Sequence, residues 1–155
     1  MEHHFLCDVP DRRFSPTVVV GAITASATAG ALVAIGHRMG DAGVPFIGIT
    51  RAVVRRSAPG GGAIVAGVVL HVIAVFVWSA VCLRIAARIG SRVLAALVVG
   101  VVNFALSSLV TWWTGGGVAS ELTLGDRLLY SVVLTASLIV GMRYAFLHPR
   151  ETATS

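Results

Sequence analysis

Four apolar stretches, residues 17–36, 63–83, 93–113 and 128–147, are separated by short segments that carry nearly all of the charge. Each is about as long as the roughly 20 residues of helix needed to cross a hydrocarbon core. Lipid offers no partner for an unpaired N–H or C=O, so each stretch is predicted to be helical. That holds even for the Val18–Val20 and Val98–Val102 runs, which would favour strands in water. The first and third stretches contain no charge, and the second has one ionisable side chain, His71. The fourth contains Arg143 near its end, where a long side chain can snorkel to the interface.

Composition agrees with this reading. Hydrophobic residues make up 56% of the 155 residues and charged residues 12%, about half the share in a soluble domain. The connectors leave no room for a separate soluble module. The chain therefore reads as one all-α membrane domain, an antiparallel bundle of four transmembrane helices behind an N-terminal tail, residues 1–16. Within the first stretch, Ala25-Ser26-Ala27 has the small-residue spacing of a signal-peptidase site. The apolar run continues past it to Gly36, and the tail before it carries Glu2, Asp8 and Asp11, so an uncleaved span is expected.

The connector after the first stretch is longer than the others. Within residues 44–56, Pro45 suits a helix start, Phe46, Ile49 and Val53 recur at helical spacing, and Arg51 and Arg55 share another face. The segment is too short and too charged to span. It reads as an amphipathic interfacial helix with Arg51, Arg55 and Arg56 toward lipid headgroups, followed by a turn through Gly60–Gly62.

All twelve basic residues are arginine, and they lie at the ends of apolar runs, which is topogenic placement and excludes nucleic acid as the expected partner. Four spans put Arg12, Arg13, Arg84, Arg88, Arg92, Arg143 and Arg150 on one side and Arg38, Arg51, Arg55, Arg56 and Arg127 on the other. Seven against five favours cytoplasmic termini in a bacterial inner membrane.

Small residues predict how the helices pack. Gly21, Ala25 and Ala29 fall four apart, as do Ala22, Ser26, Gly30 and Ala34, giving two adjoining seams on the first span. The third span offers Gly100, Phe104 and Ser108 beside Asn103, Ser107 and Thr111, and the fourth offers Ser131, Thr135, Ser137 and Gly141. These faces are expected to meet inside the bundle. A solute path along Asn103, Ser107, Thr111 and Thr135 is the sharper alternative.

An ionisable group inside the membrane is a candidate site because it is costly there. His71 has three readings: a hydrogen bond to a facing Ser or Thr, contact with a cofactor such as a haem, or proton relay. The sequence identifies no particular cofactor. His3, His4, Cys7 and Asp8 form a terminal cluster that reads as a tail rather than a metal site. Trp112, Trp113 and Tyr144 look like interfacial anchors, and Trp78 lies deeper. The acidic residues all fall outside the four stretches, and the glycine runs at Gly60–Gly62 and Gly115–Gly117 lack the lysine of a phosphate loop. Catalysis is therefore not expected.

A small-residue first helix, a Pro-containing amphipathic connector, and a second helix with His71 and Trp78 precede two glycine-bearing spans. This order resembles four-helix bacterial inner-membrane proteins of the YagU-like kind, and the resemblance implies fold and location without an activity. The expected role is a non-catalytic subunit or scaffold, in contact with lipids and other membrane subunits of a respiratory or photosynthetic type of complex. The alternative is a small homo-oligomeric channel or carrier.

Overall fold

The computed structural model describes residues 15–54, 60–114 and 122–147. It contains five helices: α1 (Pro16–Arg38), α2 (Val44–Val53), α3 (Gly61–Ile89), α4 (Arg92–Thr114) and α5 (Leu124–Leu147). No strand occurs among the described residues. Four of the helices are long and apolar enough to cross a membrane, and α2 lies between the first and second of them.

Local chemistry marks the helix ends. Ser15 caps α1 through a hydrogen bond from the Val18 amide, and Pro16 occupies the first turn, where its missing N–H is no loss. After Arg38 the chain turns tightly: Gly40 takes φ +90, and the Asp41 carboxylate accepts from the Gly43 amide at 2.7 Å. Gly90, at φ +68, ends α3 in the left-handed conformation open to glycine, and Ser91 then caps α4 through the Leu94 amide. Thr123 and Asp126 open α5 as a reciprocal box: the Asp126 amide donates to Thr123 Oγ1, and the Thr123 amide donates to Asp126 Oδ2.

The four long helices pack as a ring in which α1 touches α3 and α5, and α4 closes against both of those. Only Gly90 and Ser91 separate α3 from α4, which forces those two to run antiparallel. One end of the ring is closed by an apolar core of Val20, Cys82, Ala95, Ala96, Val99, Leu134, Leu138 and Met142, each at most 1% exposed. Here α1 and α5 approach closely, because a Cβ on Gly141 would stand 3.2 Å from Val20 Cα. At the opposite end α2 crosses the first two turns of α3: Thr50 Oγ1 donates to the Ala63 carbonyl at 2.6 Å, and the backbone at Phe46 lies directly over Gly67.

Several boundaries differ from the sequence expectation. Helix α3 continues past residue 83 to Ile89, carrying Arg84 and Arg88, since hydropathy marks the lipid-immersed part of a helix rather than its end. Helix α5 starts at Leu124, four residues before the expected span, so Asp126 is helical and buried. Helix α2 ends at Val53, its buried residues are Pro45, Phe46, Gly48 and Thr50, and Val53 is 65% exposed. Arg55 and Arg56 lie outside the described residues, as do His3, His4, Cys7 and Asp8. The two seams of α1 separate: Gly21 and Ala25 are buried, whereas Ala22, Ser26, Gly30 and Ala34 all face outward.

Candidate functional site

His71 lies ten residues into α3, about 15 Å along the axis from Gly61 at 1.5 Å per residue. It is 3% exposed, and its Nε2 is 3.0 Å from Thr28 Oγ1 on α1. Thr28 Oγ1 is also 2.7 Å from the Thr24 carbonyl of its own helix. A carbonyl can only accept, so the single hydroxyl proton is assigned to the shorter contact at Thr24, and with that assignment the imidazole donates from Nε2 to Thr28. Phe46 and Tyr130 meet the imidazole edge-on, with ring centroids 6.2 and 6.1 Å away. Thr28 thus ties α1 to α3, and the Tyr130 ring brings α5 against the same buried histidine.

The other edge of His71 borders a cavity of about 160 Å³ between the helices, which Asn103 and Ser107 of α4 and Tyr130 and Ser131 of α5 also line. Ser107 Oγ donates to the Phe104 carbonyl at 2.8 Å. Among the described residues, neither the Asn103 amide nor the Ser131 hydroxyl is hydrogen-bonded, and His71 Nδ1 is likewise without a partner. The Arg127 guanidinium reaches the cavity from the end nearer α2, and its Nε donates to the Leu122 carbonyl at 3.3 Å. The walls are otherwise apolar, with Leu32, Leu70 and Ala74 among them.

His71, Asn103 and Ser107 therefore share one space. Thr135 does not join them. Its hydroxyl donates to the Ser131 carbonyl at 2.8 Å and packs against Gly100, where any Cβ would overlap it, so it belongs to the α4–α5 contact. Thr111 lies on α4 with its side chain outside the description, and Arg51 is half-buried on α2. No group of three or more His, Cys, Asp or Glu able to hold a metal occurs among the described residues.

A second polar contact joins the helix ends nearest α2. Arg38, in the last turn of α1, is ion-paired with Asp126, whose side chain is 6% exposed. Asp126 Oδ2 also accepts from Thr123 Oγ1 at 2.7 Å.

The sequence reading did not single out Thr28 or Tyr130. A faint signal existed for Thr28, which lies on the inward side of α1 with Gly21 and Ala25 and is four residues from Thr24. Nothing in sequence placed Tyr130 opposite His71. Comparison with protein-family models, curated proteins and solved structures finds no match.

Proposed function

We propose that this multi-pass membrane protein is a non-catalytic subunit that docks onto another membrane-spanning helix of a larger assembly in a bacterial inner membrane, with both termini cytoplasmic. The observation that carries the proposal is the seam Ala22, Ser26, Gly30 and Ala34 on the outward side of α1, where nothing lies within 4 Å of the position a Gly30 Cβ would take. Lipid tails are as apolar as leucine, so membrane helices associate by close backbone approach, and a row of small residues four apart permits it. The inward seam is occupied by α3 and α5, and the outward seam offers the same surface to a partner. Orientation rests on the seven-to-five arginine asymmetry. The layout resemblance to YagU-like proteins supports the same placement.

Extraction in mild detergent, followed by size separation and mass spectrometry, tests this reading. Co-migration with other integral membrane chains is expected, and Gly30→Leu should release the protein from them while leaving it folded. A particle containing only this chain, unchanged by Gly30→Leu, would overturn it.

A small-solute carrier is the second reading, favoured by the convergence of His71, Asn103 and Ser107 on one cavity. The apolar core from Val20 to Met142 closes the far end of a single chain, so a path would have to form between copies. Flux through reconstituted protein that falls on Asn103→Leu would support it.

A further inference from the structure

The cavity beside His71 continues into an open groove of about 440 Å³ between α2, α3 and α4, and the two share Ile49, Leu70, Ala74, Asn103 and Ser107. We propose that cavity and groove together bind a lipid-soluble molecule with a planar, oxygen-bearing ring on an apolar tail, of the prenylquinone or quinol class, which enters sideways from the bilayer.

Size and polarity define the head. A space of about 160 Å³ is close to the roughly 150 Å³ that admits a benzene ring in an engineered protein cavity. Its walls are largely apolar, with a few convergent polar groups, as in small-molecule sites generally. Tyr130 contributes an aromatic wall suited to a flat ring.

Hydrogen bonding defines the chemistry. Because Nε2 of His71 donates to Thr28, Nδ1 is left as an acceptor at the cavity. The Asn103 amide offers donors and an acceptor, and the Ser131 hydroxyl offers either. In a hydrocarbon surround such groups are costly when unpartnered, and they suit ring oxygens in either form, a carbonyl accepting from Asn103 or a hydroxyl donating to Nδ1. No carboxylate lines the cavity, and a cationic head would find no counter-charge there.

The groove defines the tail. It passes Ile73, Trp78 and Leu106, of which Ile73 and Leu106 are 55% and 41% exposed to the membrane side. Trp78 lies seven residues beyond His71, about 10 Å further from the α2 end. A ring at His71 would therefore sit close to the middle of the 63–83 span, with its tail running along α3 toward Trp78 and open to lipid on the groove side.

Trp78 also supplies the assay. The chain has three tryptophans, and a W112F/W113F background leaves Trp78 alone beside the groove. The full-length protein in lipid nanodiscs would be titrated with decylubiquinone, which quenches tryptophan on contact, and its quinol would serve as competitor. Saturable quenching is expected, with the midpoint raised about tenfold by Asn103→Leu, the effect of losing one buried hydrogen bond. Ala74→Phe, which fills the junction of cavity and groove without adding a second fluorophore of the same kind, should abolish saturation. Among the described residues Asn103 makes no side-chain hydrogen bond, so its replacement tests binding without unfolding the bundle. Quenching that rises linearly without saturation, or saturates equally in both variants, would overturn the proposal. Equal displacement by decanol, which has a tail and hydroxyl but no ring, would also overturn it.

Discussion

Gly67 of α3 lies directly beneath the Phe46 carbonyl of α2, and a Cβ at Gly67 would overlap that oxygen. The absence of a side chain is what lets a short helix settle across the first turns of a long one. It places Phe46 against His71 and lets Thr50 reach the Ala63 carbonyl.

Gly67→Ala should therefore lift α2 from α3. Overpacking of this kind costs about 1–3 kcal/mol, and here the obstructing atom is backbone, which cannot rotate away. The expected readout is a lower unfolding midpoint in micelles, with faster alkylation of a cysteine introduced by Thr50→Cys. An unchanged midpoint and a protected thiol would mean that α2 is held by other contacts.

The Arg38–Asp126 pair joins the last turn of α1 to the first turn of α5. Arg38→Ala would leave a buried carboxylate supported only by Thr123. Removing one partner of a fully buried pair costs about 3–5 kcal/mol, but the Arg38 side chain is 65% exposed and water screens it. A loss of about 1–2 kcal/mol is expected on that ground. Asp126→Asn should lose less, since it removes the buried charge along with the bridge. Unfolding titrations of the two variants against the parent protein check the order.

Thr28 and His71 should be energetically coupled. Side-chain hydrogen bonds between membrane helices average about 0.6 kcal/mol in double-mutant cycles and reach about 1.7. The Thr28–His71 contact is fully buried, so a cycle of Thr28→Val and His71→Phe should give about 1 kcal/mol. A coupling indistinguishable from zero would show that the threonine satisfies Thr24 alone.

Cys82 is fully buried in the apolar core, with its Sγ 3.9 Å from Met142 Sδ. In a Cys7→Ser variant, a membrane-permeant maleimide should leave the folded protein unlabelled and react only after unfolding. Labelling of folded protein would show that the core end of the bundle opens.

The helical character and approximate span positions were legible because long apolar runs partition into lipid as a local property, whatever their neighbours do. The start of α2 was legible from a different local property, the fixed φ and missing N–H that suit Pro45 to a first helical turn. Asp126 was misplaced in sequence because its burial depends on Arg38, eighty-eight residues away, and on the Thr123 cap.

Sequence by itself determined the number of spans, the presence of a short helix between the first two, and the histidine within the second. Only the tertiary structure decided which faces turn inward. It chose Gly21 and Ala25 over Ala22 and Gly30, sent Asn103 and Ser107 to the His71 cavity, and kept Thr135 against Gly100. The physical reason lies in the solvent. In water an apolar stripe marks the buried face of a helix, but in a bilayer protein and lipid are equally apolar, and periodicity no longer separates one from the other. Backbone approach at small residues and the pairing of a few hydroxyl, amide and imidazole groups make that choice, and both depend on helices far apart in the chain.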